Sequence, residues 1–171
     1  YTAPTFDVDA TGQSVQRAYP DNGNYTVALR VKDEDGDASP IVTAQVTVNN
    51  RAPWNVSAGG PYVGNEGEPI TFNGSATDVT TDTITYEWDF DYTAPTFDVD
   101  ATGQSVQRTY PDNGSYTAAL RAKDEDGGIS GIFTALVTVN NKAPWNVNAG
   151  GPRTGNEGEP ITFTGSATDV E

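Results

Sequence analysis

The sequence contains no cysteine and no histidine among its 171 residues. Without cysteine there is no disulfide, no thiolate nucleophile and no cysteine-bound zinc. Without histidine there is no Ser-His-Asp triad and no histidine that could act as a general base or metal ligand. These absences remove the commonest catalytic arrangements, and we expect neither catalytic residues nor enzyme activity.

Basic residues are also scarce, because 9 Lys and Arg stand against 24 Asp and Glu, for a formal charge of −15. An acidic surface repels a phosphate backbone, so this balance argues against nucleic-acid binding. No apolar run approaches the roughly 18 residues that span a membrane, and we expect no membrane-spanning segment. Methionine is absent as well, so we expect the chain to be part of a longer or processed polypeptide.

What the sequence does contain is a long internal repeat. Residues 1–9 return as residues 92–100, and Trp54 returns as Trp145. The offset is 91 residues throughout, which suits a self-contained sandwich domain in a tandem array. Boundaries at the two Asn-Asn-Arg/Lys-Ala-Pro segments predict three units: residues 1–50 as the C-terminal part of one domain, 51–141 as a complete domain, and 142–171 as the N-terminal part of another.

Alternating apolar and polar residues dominate the complete domain and predict short β-strands. The predicted inward-facing residues are Trp54, Val56, Ala58, Ile70, Phe72, Ile84, Tyr86, Trp88, Phe90, Val106, Tyr110, Tyr116, Ala118, Leu120, Ala122, Phe133, Ala135, Val137 and Val139. The same alternation places Asp89, Ala119 and Leu136 on outward faces. Six or seven strands without a helix predict an all-β fold of tandem immunoglobulin-like β-sandwiches.

Several segments of the complete domain together resemble a PKD domain, the immunoglobulin-like module named after the polycystic kidney disease protein. The matching segments are residues 58–62 (AGGPY), 65–72 (NEGEPITF), 74–78 (GSATD), 86–90 (YEWDF), 110–117 (YPDNGSYT) and 123–128 (KDEDGG). The resemblance implies a seven-stranded sandwich without catalysis. It also implies a secreted or surface protein of bacteria or archaea, in which such domains act as spacers, adhesion modules or binders of protein or glycan fibres.

The sequence departs from the usual pattern of this family in two places. Residues 91–96 stand where the family usually continues with a Gly-Asp-Gly-like turn. Trp54 and Trp145 stand where a small or β-branched residue is more usual.

Calcium is the best chemical candidate for a ligand, since Ca²⁺ takes six to eight oxygen ligands from loops. The topology of a sandwich brings its N-terminal linker, its second-to-third strand loop and its last hairpin loop to one end. The oxygen-bearing residues of these segments are Asn49, Asn50, Asp78, Asp82, Asp124, Glu125 and Asp126. The resemblance agrees, because some PKD domains bind calcium at that end. The alternative is that these residues only form hairpin and Asx turns.

Trp54 and Trp145 lie beside the two linkers, each directly after a proline. We expect them either to pack the linker against a neighbouring domain or to present an exposed ring to a glycan or another chain. Possible N-glycosylation acceptors, which matter only in a secreted protein of a glycosylating organism, are Asn24, Asn55, Asn73 and Asn113.

Two functions remain open at this point. The first is an extracellular rod, stalk or filament, because the linkers contain no flexible Gly/Ser stretch and should hold neighbouring copies of the repeat head-to-tail at a defined angle. The second is an adhesion module that docks a secreted enzyme or surface protein onto polysaccharide or protein fibres. Because incomplete sandwiches expose apolar faces and strand edges, we expect residues 1–50 and 142–171 to be completed by more of the same chain or by another chain.

Overall fold

A computed structural model describes residues 6–170, and residues 1–5 and 171 of the outer predicted units lie outside it. The described residues form thirteen strands and no helix, so they contain no helix that could cross a membrane. In chain order the strands are β1 (Gly23–Leu29), β2 (Val42–Val48), β3 (Trp54–Ser57), β4 (Tyr62–Asn65), β5 (Pro69–Asn73), β6 (Ser75–Thr77), β7 (Thr85–Asp89), β8 (Ala101–Thr102), β9 (Ser105–Thr109), β10 (Gly114–Lys123), β11 (Phe133–Asn140), β12 (Trp145–Asn148) and β13 (Ser166–Thr168).

Strands β3 to β11 build one complete sandwich between residues 54 and 140. One sheet has the order β4-β11-β10-β7-β8, in which β4 and β11 are parallel and the other pairs antiparallel. The pairs β3–β6 and β5–β9 form the opposite layer. Gly74 separates β5 from β6, and a β-carbon there would lie 2.6 Å from Leu120 Cδ2. The predicted immunoglobulin-like sandwich is confirmed.

Aromatic rings fill the space between the two layers. Phe72 lies 5.7 Å from Trp88 and 4.9 Å from Phe90, measured between ring centroids. The Trp88 indole Nε1 donates to the Gly103 carbonyl at 2.9 Å, so its polar atom is satisfied inside the core. Leu120 and Val137 close the same cluster from the five-stranded sheet. These five side chains belong to the inward-facing set predicted from the alternation.

The outward face of the five-stranded sheet, where the alternation places Asp89 and Ala119, is partly covered. Both residues are buried, although they point away from the core. The covering segment is residues 91–98: Tyr92 N donates to Thr117 O at 3.0 Å, and the Phe97 ring lies under the Arg121 guanidinium at 4.4 Å. The segment that departs from the family pattern therefore packs on this face.

Phe133 was predicted to face the core, and it lies on that side of β11 but is 42% exposed. It has the same strand parity as the buried Ala135 and Val137. It is, however, the first residue of β11, and the neighbouring strand β4 pairs with β11 only from Val137 to Asn140, so β4 does not extend alongside Phe133. Leu136 is exposed, as predicted.

Tyr116 forms the predicted tyrosine corner. Its hydroxyl donates to the Asp112 carbonyl at 2.9 Å, across the turn that precedes β10. The corresponding Tyr25 hydroxyl donates to the Asp21 carbonyl at 2.8 Å. This turn therefore has the same hydrogen bond in both copies of the repeat.

The outer segments of the chain repeat parts of the sandwich. β1 and β2 pair in the same register as β10 and β11, from Gly23↔Val48 and Gly114↔Val139 onward. β12 and β13 likewise repeat the pairing of β3 and β6. Burial differs, since Leu29 is 56% exposed and its counterpart Leu120 is fully buried.

This matched pair predicts that the same Leu→Ala substitution changes the free energy of unfolding by different amounts at the two positions. We expect Leu120→Ala to lower the free energy of unfolding of the complete domain by about 3–5 kcal/mol, through lost burial and a residual cavity. Leu29→Ala should change it by no more than about 0.5 kcal/mol, as at other exposed sites. Urea denaturation followed by circular dichroism measures both, and equal effects would contradict the burial difference.

Candidate metal centre

The turn between β10 and β11 holds the buried carboxylate of Asp124. The Gly128 N–H donates to Asp124 Oδ1 at 2.7 Å, and the Asp124 N–H donates to the Gly128 carbonyl at 3.0 Å. The other oxygen, Oδ2, accepts from Asn50 Nδ2 in the linker at 2.9 Å. A β-carbon at Gly128 would overlap the Asp124 carboxylate and lie 2.8 Å from Asn50 Nδ2. Glycine is needed there because linker and turn approach so closely.

The same turn in the preceding repeat shows what the linker adds. Asp33 accepts the Asp37 N–H at 2.8 Å, as Asp124 accepts that of Gly128. Asp33 is exposed, whereas Asp124 is only 2% exposed. Turn chemistry alone explains the backbone hydrogen bond, but the burial of Asp124 depends on the packing of the linker.

Asp78 and Asp82, from the loop between β6 and β7, bring two further carboxylates to Asp124. One ligand oxygen from each of the three lies within 4.8 Å of the others. Two oxygens bound to one Ca²⁺ at about 2.3–2.6 Å can lie at most about 5 Å apart. The Oδ2 atoms of Asp78 and Asp82 are both buried without a hydrogen-bond partner. The spacing and the unpartnered oxygens fit a hard cation.

A second carboxylate group connects this loop to the preceding repeat. Asp21, Asp82 and Asp126 also bring one ligand oxygen each within 4.8 Å. Thr81 Oγ1 donates to the Pro20 carbonyl at 2.9 Å across the same contact. The Asn22 side-chain amide satisfies both its oxygen and its nitrogen when the nitrogen faces the carboxylates. In that orientation it donates to Asp21 Oδ1 and Asp126 Oδ2 at 2.9 Å each. The two groups share Asp82, and together they form what we call the joint cluster: Asp21, Asp78, Asp82, Asp124 and Asp126.

The electrostatics of the joint cluster are repulsive without a cation. Burial raises the pKa of Asp82, and the charges of Asp78, Asp126 and Asp21 raise it further. A hydrogen bond from Thr81 acts in the opposite direction. A divalent cation would replace this repulsion between carboxylates with attraction to the ion.

The predicted calcium residues divide into two sets. Asp78, Asp82, Asp124 and Asp126 belong to the joint cluster, and Asn50 contacts it. Asn49 and Glu125 are exposed, and Glu125 lies outside the carboxylate groups found among residues 6–170. Asp21, in the turn before β1, was missed, because it belongs to the preceding repeat and its approach to Asp82 depends on how two repeats meet. That turn lies at the end of its domain from which the linker leaves.

Asp89, Asp91 and Asp100 form a third carboxylate group, which was not predicted. Backbone donors account for much of its geometry, since Asp89 accepts the N–H groups of Asp91 and Asp98 at 3.2 and 3.0 Å. Asp100 accepts the Phe90 N–H at 2.8 Å. Burial raises the pKa of Asp89, with the neighbouring Asp91 and Asp100 charges adding to the effect. The Asp89 carboxylate therefore anchors the segment 91–98 to the sheet.

A basic residue of each linker packs on the tryptophan ring of the same linker. Arg51 stacks on Trp54 with its guanidinium carbon 3.7 Å from the ring centroid, and Lys142 Nζ lies 5.5 Å from that of Trp145. Trp145 remains 39% exposed. A role for either ring in binding a neighbour or glycan stays a prediction. The four glycosylation candidates, all of them exposed, are Asn24, Asn55, Asn73 and Asn113.

The second linker, which contains Lys142, is held by the loop between β4 and β5 of the complete domain. Glu66, 1% exposed, accepts the Lys142 N–H through Oε1 at 2.8 Å. Lys142 Nζ also donates to Glu68 at 3.1 Å. Gly67 has a φ of 73° and faces Val170, whose Cγ1 would lie 2.7 Å from a β-carbon there. Both linkers are therefore held by contacts with an adjoining domain.

Comparison with known protein families identifies the fold at the level of sequence. The model of the PKD domain matches residues 7–48 and 50–139, well over half of the chain. The chain belongs to the PKD domain family. PKD domains are typically non-catalytic binding or structural modules, and this chain carries them in tandem.

Two solved structures are similar to parts of this PKD chain. One is the PKD domain of an M14-like peptidase from Thermoplasmatales archaeon SCGC AB-540-F20, with 28% identity and a TM-score of 0.42, over 53% of this chain and 98% of that one. The other is the fibronectin(III)-like modules of Clostridium thermocellum CbhA, with 18% identity and a TM-score of 0.46, over 70% of this chain and 64% of that one. No curated protein matches the chain.

Proposed function

We propose that this chain is part of an extracellular array of PKD domains that serves as a stiff rod or stalk. The observation that supports it is the joint between residues 6–50 and the complete domain. Across this joint Thr81 bonds to Pro20, and Asp21 approaches Asp82 and Asp126. A joint with side-chain contacts on both sides of a Pro-containing linker restricts the angle between neighbours.

We further propose that Ca²⁺ occupies the joint cluster and stiffens it. Five carboxylates come from three loops, none of them belongs to an ion pair found among residues 6–170, and two of their oxygens are buried without hydrogen-bond partners. Calcium favours such carboxylate oxygens on loops. Because Asp21 belongs to the preceding repeat, the ion would bind two domains at once and reduce their relative motion.

Small-angle X-ray scattering of the chain with Ca²⁺ and with EGTA tests this function. We expect a longer maximum dimension and a narrower range of shapes with Ca²⁺, because the joint would be fixed. A control in Mg²⁺ should resemble EGTA, since Mg²⁺ demands a stricter octahedral site and dehydrates reluctantly. Identical scattering curves in Ca²⁺ and EGTA would contradict calcium stiffening.

The alternative function, docking onto fibres, is favoured by the exposed Trp145 ring. Aromatic rings with one exposed face are suited to contacts at binding surfaces. Sedimentation with cellulose, chitin and collagen separates the two functions. Retention that is lost in Trp145→Ala would favour docking, and recovery of all protein in the supernatant favours the rod.

A further inference from the structure

The joint between residues 6–50 and the complete domain brings carboxylates of two repeats together. Asp21 of the first repeat, with Asp82 and Asp126 of the complete domain, brings one ligand oxygen each within 4.8 Å of the others. None of the three belongs to an ion pair found among residues 6–170. Since like charges at this distance repel, a closed joint requires hydrogen-bond donors or a cation beside these carboxylates.

The side-chain amide of Asn22 supplies two such donors. In the orientation that satisfies both its oxygen and its nitrogen, the nitrogen lies 2.9 Å from Asp21 Oδ1 and 2.9 Å from Asp126 Oδ2. An amide nitrogen carries two N–H groups, one for each carboxylate. Hydrogen bonds to an ionised acceptor are stronger than those between neutral groups. One side chain of the first repeat therefore connects its own turn to a carboxylate of the complete domain.

The chain contains a second copy of the turn that holds Asn22. In the first copy the Tyr25 hydroxyl donates to the Asp21 carbonyl at 2.8 Å, and the second copy, which contains Asn113, has the equivalent hydrogen bond at 2.9 Å. Asn22 is half-buried at the joint, whereas Asn113 is exposed. Because the two turns share this hydrogen bond, the contact with the complete domain is what distinguishes Asn22.

We propose that Asn22 is the positioning residue that closes this joint when no metal ion is bound, by donating to carboxylates of both repeats. Its amide offsets the repulsion between Asp21 and Asp126 that a cation would otherwise offset. Thr81 Oγ1, 2.9 Å from the Pro20 carbonyl, adds a neutral hydrogen bond across the same contact. The inference rests on the proposed function, because it concerns the joint of that array, but it requires no bound calcium.

This role makes the two N–H donors of Asn22 decisive, rather than the size of its side chain. Asn22→Asp keeps the shape of the side chain but replaces both donors with a further negative charge beside Asp21 and Asp126. Without a metal ion, the joint of this variant should therefore open. Asn22→Ala removes the donors without adding charge, so its joint should also open, but to a smaller extent.

The distance between two spin labels, measured by pulsed electron paramagnetic resonance, reports the state of the joint. Because the chain contains no cysteine, Thr43→Cys and Thr109→Cys place one label on each side of the joint at exposed positions. In EGTA at low salt, we expect one main distance peak with native Asn22. Asn22→Asp should raise the ratio of open to closed joints at least tenfold, which corresponds to about 1.4 kcal/mol. Asn113→Asp adds the same charge at the exposed copy of the turn and should leave the distances unchanged.

Salt and calcium separate the effect of charge from damage to the turn. Because salt screens repulsion between exposed charges, about 1 M NaCl should partly close the joint of Asn22→Asp and leave that of Asn22→Ala open. The proposal is wrong if Asn22→Ala keeps the native distances, or if Asn113→Asp opens the joint as much as Asn22→Asp.

Calcium should close the joint of Asn22→Asp again if the proposed calcium site is correct, since the added carboxylate is a further oxygen ligand. Failure of this step alone would contradict calcium binding and not the role of Asn22, which is measured in EGTA. The two proposals can therefore fail separately.

Discussion

Asp82→Asn should remove the response of the chain to calcium. Asp82 is the residue shared by both carboxylate groups of the joint cluster, so its loss affects every proposed ligand set. Calcium at one hundred times its dissociation constant stabilises a folded state by about 2.7 kcal/mol. For a domain of this size the corresponding rise in melting temperature is about 10–20 °C. We expect this rise in the wild-type chain and its absence in Asp82→Asn.

Without calcium, Asp82→Asn should melt above wild type instead of below it. In EGTA, Asp82 is a partly buried carboxylate whose charge is opposed by Asp78, Asp126 and Asp21. Replacing it with a neutral amide removes that repulsion, so Asp82→Asn should melt at a higher temperature than wild type. The order of the two melting temperatures therefore reverses between EGTA and calcium, which an effect on packing alone would not produce.

Glu125→Gln is the matched control for charge. It removes one carboxylate from the same hairpin loop as Asp124 and Asp126, but Glu125 is exposed and outside the cluster. It should keep the full calcium response in differential scanning fluorimetry and the heat of binding in titration calorimetry. If wild type shows neither heat nor a melting shift with calcium, the proposed ligand is wrong.

Trp88→Ala should unfold the complete domain or bring it close to unfolding. Truncating a fully buried tryptophan costs about 3–5 kcal/mol. The lost indole N–H also leaves the Gly103 carbonyl without its partner, which adds about 1–3 kcal/mol. Together these costs approach the whole stability of a small domain, which is about 5–15 kcal/mol. Chemical denaturation at low temperature, followed by circular dichroism, measures the residual stability.

Trp145→Ala is the control of the same residue type. Its ring is 39% exposed and contacts its own linker through Lys142, so the complete domain should unfold at nearly the wild-type denaturant concentration. A Trp88→Ala variant as stable as Trp145→Ala would mean that the core does not depend on the central strand β7.

The fold could be predicted from sequence because the longer strands follow a simple alternation, whereas the short strands β4 and β8 were not predicted. Phe72, Trp88 and Leu120 were identified as core residues from spacing alone, and they are buried. The repeat gave further support at two of these positions, since Phe72 returns as Phe163 and Leu120 corresponds to Leu29 across the offset of 91. Alternation also predicts correctly on which face of the sheet Ala119 and Phe133 lie. It fails for their burial, because burial depends on what lies opposite.

The candidate site was predictable in part for a similar reason. Topology places the linker and two loops at one end of a sandwich, which is enough to associate Asp78, Asp82 and Asp124. Asp21 was not found because it belongs to another repeat, and its approach to Asp82 depends on how two domains meet. The segment 91–98 was also unpredictable, since its hydrogen bonds to Thr117 and Asp89 connect residues without any periodic relation.

The parallel pairing of β4 with β11 has a mechanical consequence. The chain enters the complete domain just before β3 and leaves it after β11, so tension along an array would pull β4 and β11 in opposite directions. Their four residue pairs, from Val137↔Tyr62 to Asn140↔Asn65, lie side by side with evenly spaced hydrogen bonds. Such a force slides the strands past each other and loads these bonds together, rather than opening them one at a time. The pairing of β4 with β11 at the edge of the sheet can therefore carry tension along the chain, a role that the packing of the core alone does not indicate.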